Sequence, residues 1–236
     1  MNDEKQYTEG ISIKGNKFLI WFDNYWYHYK WVTIVVAFAV IVFSVCIIQA
    51  CSNKKADVIV TYAGPTYLQV DQKISVEEVL NKGINGTGEG ATIGFKAYYL
   101  LTQGQIEQIQ KETGSDGYPK HVDTAFNSQE MDNFESQLMS GSGSIILVDK
   151  DMYAMFFGST GETERLQPLN EVLGSTPSNA IDSYGIRLGD TAIYKNSTDL
   201  QRLPEDTVVC LHKKIFGQKD YEQQVEAFKT LVQPAD

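Results

Sequence analysis

Twenty consecutive residues without a charge, WVTIVVAFAVIVFSVCIIQA from Trp31 to Ala50, constrain this chain more than any other feature. At about 1.5 Å of rise per residue, such a run crosses a hydrocarbon core of roughly 30 Å. A buried helix of a soluble domain would be shorter and would carry a polar stripe. The segment before it, WFDNYWYHYKW (Trp21 to Trp31), has Trp or Tyr at six of its eleven positions. Rings with an apolar body and a polar tip collect in the headgroup layer, so this segment reads as an interfacial anchor. His28 is then one more interfacial polar group. The expectation is a single transmembrane helix over residues 31–50, in contact with membrane lipid, preceded by a cytoplasmic tail over residues 1–30.

Lys14, Lys17 and Lys30 precede the span and Lys54 and Lys55 follow it, a weak bias toward an inside N-terminus. A cleaved signal peptide fits poorly, because about thirty residues would precede its apolar core. IIQAC, Ile47 to Cys51, resembles a bacterial lipobox, which gives the alternative of a lipoprotein anchored at Cys51. The long aromatic segment argues against that processing. Either route places the C-terminal domain outside the cytoplasm at the cell membrane, and the uncleaved span makes the protein single-pass.

The formal net charge of −10 and pI near 4.8 argue against a nucleic-acid partner, which needs a basic face. Of three cysteines, Cys46 lies in the span, Cys51 at its edge and Cys210 alone in the domain that follows. That domain therefore depends on burial for its stability, and roughly 180 residues are enough for one core. Cys210, inside the strand-like TVVCLH, reads as an inert core thiol.

After the short linker SNKKA the pattern alternates between strands and helices. DVIVTYAG (Asp57 to Gly64) is a β-branched run stopped by Gly64-Pro65. ISVEEVLNKG (Ile74 to Gly83) reads as a helix, with Ser75 and Glu78 as a capping box and glycine as its stop. NGTGEGA, Asn85 to Ala91, is a loop with neither phosphate-binding nor dinucleotide-binding spacing. ATIGFKAYYLLT predicts a strand and Gln103 to Thr113 a helix. The Gly/Asp/Pro-rich GSDGYPKHVDTAFN then leads to SQEMDNFESQLMSG, where Met131, Phe134, Leu138 and Met139 share a helical face. SIILVD (Ser144 to Asp149) is apolar throughout, as a strand buried on both faces must be. MYAMFF predicts a short helix and ERLQPLNEVLG a loop with a helical turn. YGIRLGDTAIYK (Tyr184 to Lys195) reads as a hairpin turning near Gly189-Asp190. DTVVCLHKK is a further strand, and DYEQQVEAFKTLV a terminal helix from an aspartate cap. This alternation predicts, over residues 56–236, a single three-layer α/β domain with a mixed, largely parallel sheet.

FESQLMSG, SIILVD, KDMYAMF and RLQPLNE, with DVIVTYAG as the opening strand, resemble type II periplasmic, or extracellular, solute-binding proteins. In that family the loop after the first strand lines the ligand cleft, between two lobes. Here fewer than thirty residues separate Phe157 from Tyr184, too few for a second lobe. The resemblance therefore implies one membrane-anchored lobe with half a cleft. Ligands of open α/β sheets sit beyond the carboxyl ends of the strands. The implied contact residues are Tyr62, Gly64 and Tyr67 after the first strand, and Asp149 and Asp151 after SIILV. The plainer reading of Asp149 or Asp151 is as the cap of the helix that follows.

No chemistry-bearing pattern accompanies this site. His121 and His212 lack partners at metal-ligand spacing, and DKDMYAMFFGST lacks the glycine and glutamate of a calcium loop. No Gly-x-Ser-x-Gly elbow occurs, and Glu77-Glu78 reads as a solvated helix face. Asn85-Gly-Thr and Asn196-Ser-Thr are sequons that carry meaning only in a eukaryotic source. The expectation is a non-catalytic binding or protein-interaction module without metal or cofactor. Its partner would be a membrane protein or a weakly held small solute. The alternatives are a structural or accessory subunit docked on another membrane protein and, third, a cell-envelope enzyme.

Overall fold

A computed structural model describes residues 17–52, 56–86, 90–114, 118–141, 143–158, 162–218 and 220–235. The first sixteen residues of the tail, the linker residues 53–55 and parts of the loops over 85–91 and 114–127 lie outside them, as does the Cys51 side chain. The chain divides into two compact units, Met1–Lys54 and Lys55–Asp236.

In the first unit, α1 (Lys17–Ser52) runs without a break through the aromatic segment and the apolar run. Trp21, Tyr25 and Tyr29 recur every four residues and stack in sequence, with centroids 5.6 and 5.3 Å apart. Its stretch Tyr25–Ile47 is long and apolar enough to cross a membrane, and none of it is buried by protein. Such a helix suits a single membrane span or a signal sequence.

The second unit is α/β. Its five-stranded sheet has the order β2-β1-β3-β5-β4. The strands are β1 (Val58–Gly64), β2 (Ile93–Tyr99), β3 (Ile145–Val148), β4 (Gly185–Arg187) and β5 (Val208–Leu211). β1 pairs in parallel with both β2 and β3, whereas β5 runs antiparallel to β3 and to β4. The central strands β1, β3 and β5 are the apolar runs of the sequence, and alternate residues feed two separate cores. Val58, Val60, Tyr62, Ile145, Leu147, Val209 and Leu211 join the first core. There they meet α2 (Val70–Asn85) through Val76 and Leu80, and α8 (Tyr221–Leu231) through Phe228 and Leu231. Ala63, Ile146, Val148, Val208 and Cys210 join the second. Its helices are α4 (Thr124–Ser140), through Phe134 and Leu138, and α5 (Lys150–Phe157), through Met152 and Tyr153. The period of two along each strand thus supplies both cores. The Cys210 thiol is buried, which pushes its pKa up and keeps it protonated.

β2 is an edge strand whose free side is closed by side chains of α2. Asn81 accepts from the Ile93 N–H at 2.9 Å and donates to the Ile93 carbonyl at 2.8 Å. Glu77 accepts from the Phe95 N–H at 2.8 Å. Glu77 is therefore no solvated neighbour of Glu78, because it satisfies a strand donor that would otherwise invite another chain.

Several boundaries differ from the sequence reading. α2 begins at Val70, a turn before the predicted cap, because the Gln69 N–H donates to Gln72 Oε1 at 2.9 Å. Ser75 lies inside the helix, its hydroxyl on the Asp71 carbonyl at 3.1 Å. Gly83 does not stop α2 either; its missing Cβ leaves room for Ile193. α4 starts at Thr124 because Asp123 accepts from the Phe126 N–H at 2.9 Å. The hairpin predicted over Tyr184 to Lys195 does not form. β4 is three residues long and is followed by a 3₁₀ turn (Leu188–Asp190) and α7 (Ala192–Lys195), which is capped by Thr191. β4 pairs with β5 instead, and the Gly189 N–H donates to the Glu205 carbonyl at 2.8 Å. ERLQPLNEVLG becomes a 3₁₀ turn (Glu162–Arg165) and the short α6 (Leu169–Leu173). The remaining helix, α3, spans Gln103–Lys111.

Candidate functional site

Because β2, β1 and β3 are parallel, the segments leaving Tyr99, Gly64 and Val148 share one carboxyl edge. The ladder continues beyond the strand ends: the Leu100 N–H donates to the Gly64 carbonyl at 2.9 Å, and the Asp149 N–H to the Ala63 carbonyl at 2.8 Å. The N-termini of α2, α3 and α5 follow these segments and arrive at the same edge. Tyr62, Gly64, Tyr67, Asp149 and Asp151 all belong to it, but in two different settings.

Tyr62, Gly64 and Asp149 form a packed floor. Tyr62 is fully buried, on the face that the strand period shares with Val58 and Val60. Its hydroxyl accepts from the Thr66 N–H at 3.2 Å, and burial pushes its pKa up to about 12. A Cβ placed on Gly64 would lie 2.6 Å from the Tyr62 hydroxyl and 2.9 Å from Asp149 Cβ, so only glycine lets the two side chains close over it.

Asp149 is buried at the N-cap of α5. Its Oδ1 accepts from the Asp151 N–H at 3.1 Å, the Met152 N–H at 3.4 Å and Gln105 Nε2 at 3.2 Å. Burial raises its pKa, and these three donors pull it partly back. Gln105 also accepts from the Thr102 N–H at 2.9 Å, closing the capping box of α3. Asp149 thus joins two helix starts. Asp151 is exposed in the first turn of α5.

Tyr67 stands outside this floor, two-thirds exposed, with its ring edge-on to Tyr99 at 5.9 Å. Tyr99 leads into an open groove of about 490 Å³, walled by Tyr118, Pro119, Val122 and Phe126, with Asn127 behind them. Tyr118 is 72 % exposed and Phe126 44 %. Several polar groups of the groove already have partners. Asn127 is bonded to both backbone groups of Leu101 at 2.8 and 3.1 Å, Asp123 caps α4, and Lys120 pairs with Glu112 at 2.6 Å. The groove therefore presents rings and hydroxyl edges more than free charge. His121 lies at its rim.

Sequence reasoning took GSDGYPKHVDTAFN as a connecting loop and missed Tyr118 and Phe126. Two aromatic residues within an otherwise polar stretch were the available signal. Elsewhere the buried titratable groups serve structure. Tyr153 donates to Asp182 at 2.7 Å, and Asp182 in turn accepts from the Tyr184 and Gly185 N–H groups. The two ring nitrogens of His212 lie 2.7 and 3.0 Å from the Lys213 and Leu138 carbonyls. Among the described residues no group of three or more His, Cys, Asp or Glu could hold a metal ion. No family model, curated protein or solved structure shows significant similarity to the chain.

Proposed function

We propose that this is a single-pass membrane protein that displays residues 56–236 outside the cytoplasm as a non-catalytic binding or protein-interaction module. The observation that carries the reading is the aromatic set at the carboxyl edge: Tyr67 against Tyr99, with Tyr118 and Phe126 around the adjoining groove. Large rings with polar tips contribute contact area at low entropic cost, which suits recognition of another protein. An open groove buries a small solute poorly, so a protein segment is the better occupant. The two cores on opposite sheet faces support the three-layer arrangement. Tyr67 and Asp151 lie where a partner reaches them, and Tyr62, Gly64 and Asp149 hold the ground beneath. The likeness of Phe134 to Phe156 to a solute-binding lobe is the sequence motive for placing contact at this edge. The anchor rests on α1, and the outside location on the lysine bias around it.

The test is site-specific photo-crosslinking in native membranes from position 118. A discrete membrane-protein adduct is expected, reduced about fivefold or more when Tyr67 and Phe126 are both changed to serine, as for hot-spot rings. An adduct pattern indifferent to both substitutions would overturn the assignment of this edge.

A further inference from the structure

α2 closes the free side of β2 only as far as Phe95. The ladder to β1 fixes which groups face that side. The Val58 N–H donates to the Thr92 carbonyl at 3.1 Å and the Leu100 N–H to the Gly64 carbonyl at 2.9 Å, so even-numbered residues of β2 bond inward. The odd-numbered ones face out. Ile93 and Phe95 meet Asn81 and Glu77 there. Ala97 and Tyr99 come next, and among the described residues their backbone N–H and C=O groups have no partner. Both residues are only partly buried.

The sequence of α2 explains why the cover stops. Asn81, Glu77, Ile74 and Val70 follow one another at i, i+3 and i+4 spacing along one stripe of the helix. Because Asn81 bonds Ile93 and Glu77 bonds Phe95, helix and strand run in opposite directions. Four helical residues rise about 6 Å and two strand residues about 6.6 Å, so the stripe keeps pace with the strand. Ile74 therefore falls alongside Ala97, and Val70 alongside Tyr99. Neither side chain can accept from a backbone N–H. Both are exposed instead, Ile74 at 54 % and Val70 at 75 %. Nine large apolar or aromatic side chains are exposed among the described residues of this unit. Five of them, Tyr67, Val70, Ile74, Tyr118 and Phe126, border the open half of β2 or the groove beyond Tyr99.

An unpaired strand edge beside an apolar wall is complementary to another strand. The added main chain supplies the missing hydrogen bonds, and its alternate side chains settle on the wall. We propose that β2, from Phe95 to Tyr99, takes an extended segment of a partner protein as a further strand of the sheet. The segment carries β-branched or aromatic residues at alternate positions, which cover Ile74 and Val70. This deepens the protein-interaction reading of the carboxyl edge and rests on it. Asn81 and Glu77 then set where the added strand must end.

The test uses the full chain in detergent and a displayed library of random peptides about twelve residues long, from which the tightest binder is synthesised. Methylating its backbone nitrogens one at a time should weaken binding about fivefold or more, at alternate positions only. Ala97→Pro removes an outward donor while leaving the ladder to β1, and should weaken binding to a similar extent. Ile74→Glu offers a carboxylate to the Ala97 N–H, as Glu77 does to Phe95, and should weaken binding about tenfold. It sits at an exposed position, so it carries the test if the Ala97→Pro chain does not fold. Binding that is lost when Tyr67 and Phe126 are both changed to serine, yet indifferent to Ile74→Glu and to N-methylation, overturns strand addition alone. A library without a binder also overturns strand addition, while the crosslink from position 118 judges the edge independently. A chain that is dimeric until Ile74→Glu is introduced overturns it too, because a second copy then holds the edge.

Discussion

Gly64→Ala is the substitution that most directly probes the floor of the carboxyl edge. Gly64 has ordinary backbone angles, so the cost comes from crowding alone. The added methyl would meet the Tyr62 hydroxyl at 2.6 Å, Asp149 Cβ at 2.9 Å and Tyr62 Cζ at 3.0 Å. Overpacking of a closed site costs about 1–3 kcal/mol. For a domain of this size that lowers Tm by roughly 3–10 °C. Tyr62→Phe removes the nearest of the three atoms and gives up one hydrogen bond from Thr66, about 1 kcal/mol. The double variant should therefore lose less than the sum of the two single losses, with a coupling of about 1 kcal/mol. The assay is equilibrium urea unfolding of the detergent-solubilised chain, followed by the fraction of residues 56–236 that resists a brief pulse of protease at each urea concentration, because all three tryptophans lie in α1 and an optical signal would report that helix. A Gly64→Ala chain within about 0.5 kcal/mol of the parent, or losses that simply add, would refute the crowding described here.

Two further outcomes follow from the same packing. Burial holds the Asp149 carboxyl above its ordinary value, so the folded state binds that proton more tightly than the unfolded chain does. Its contribution to stability is full below the unfolded value near about 3.9 and is lost as pH rises through the higher folded value. Asp149→Asn should flatten that part of the profile and keep the cap, while Asp149→Ala should cost about 1–2 kcal/mol; urea midpoints measured across acid pH check both. Asn81→Ala strips both backbone partners from Ile93 at the sheet edge. It should cost about 1–3 kcal/mol and promote self-association visible by light scattering, whereas a stable monomer would show the edge needs no such cover.

The central strands were legible because an apolar run buried on both faces leaves little choice of structure: DVIVTYAG, SIILVD and TVVCLH all became strands. The shared edge was legible too, once β1 and β3 were read as parallel neighbours. What lay on that edge was harder to read. Tyr62 has the parity of Val58 and Val60, so strand geometry alone buries it, whereas Tyr67 lies past the strand end and escapes. The cap reading of Asp149 depended on local geometry and matches its bonds to α5, but its tie to Gln105 joins residues 44 apart. No local pattern announces such a bond. The failed hairpin has the same origin. Tyr184 to Lys195 carries strand-like residues and a Gly-Asp turn signal, yet β5 claims β4 and the Glu205 carbonyl claims Gly189. Tertiary pairing overrode a local preference.

The central claim is that an outward-facing domain is displayed from one membrane span, and protease protection on intact cells tests it most directly. Tags at the two ends of the chain report each side of the membrane. Protease added outside should destroy residues 56–236 with the C-terminal tag and leave a small membrane-held fragment with the N-terminal tag. A domain that stays intact until the cells are opened, or an N-terminal tag lost while the domain survives, would contradict it.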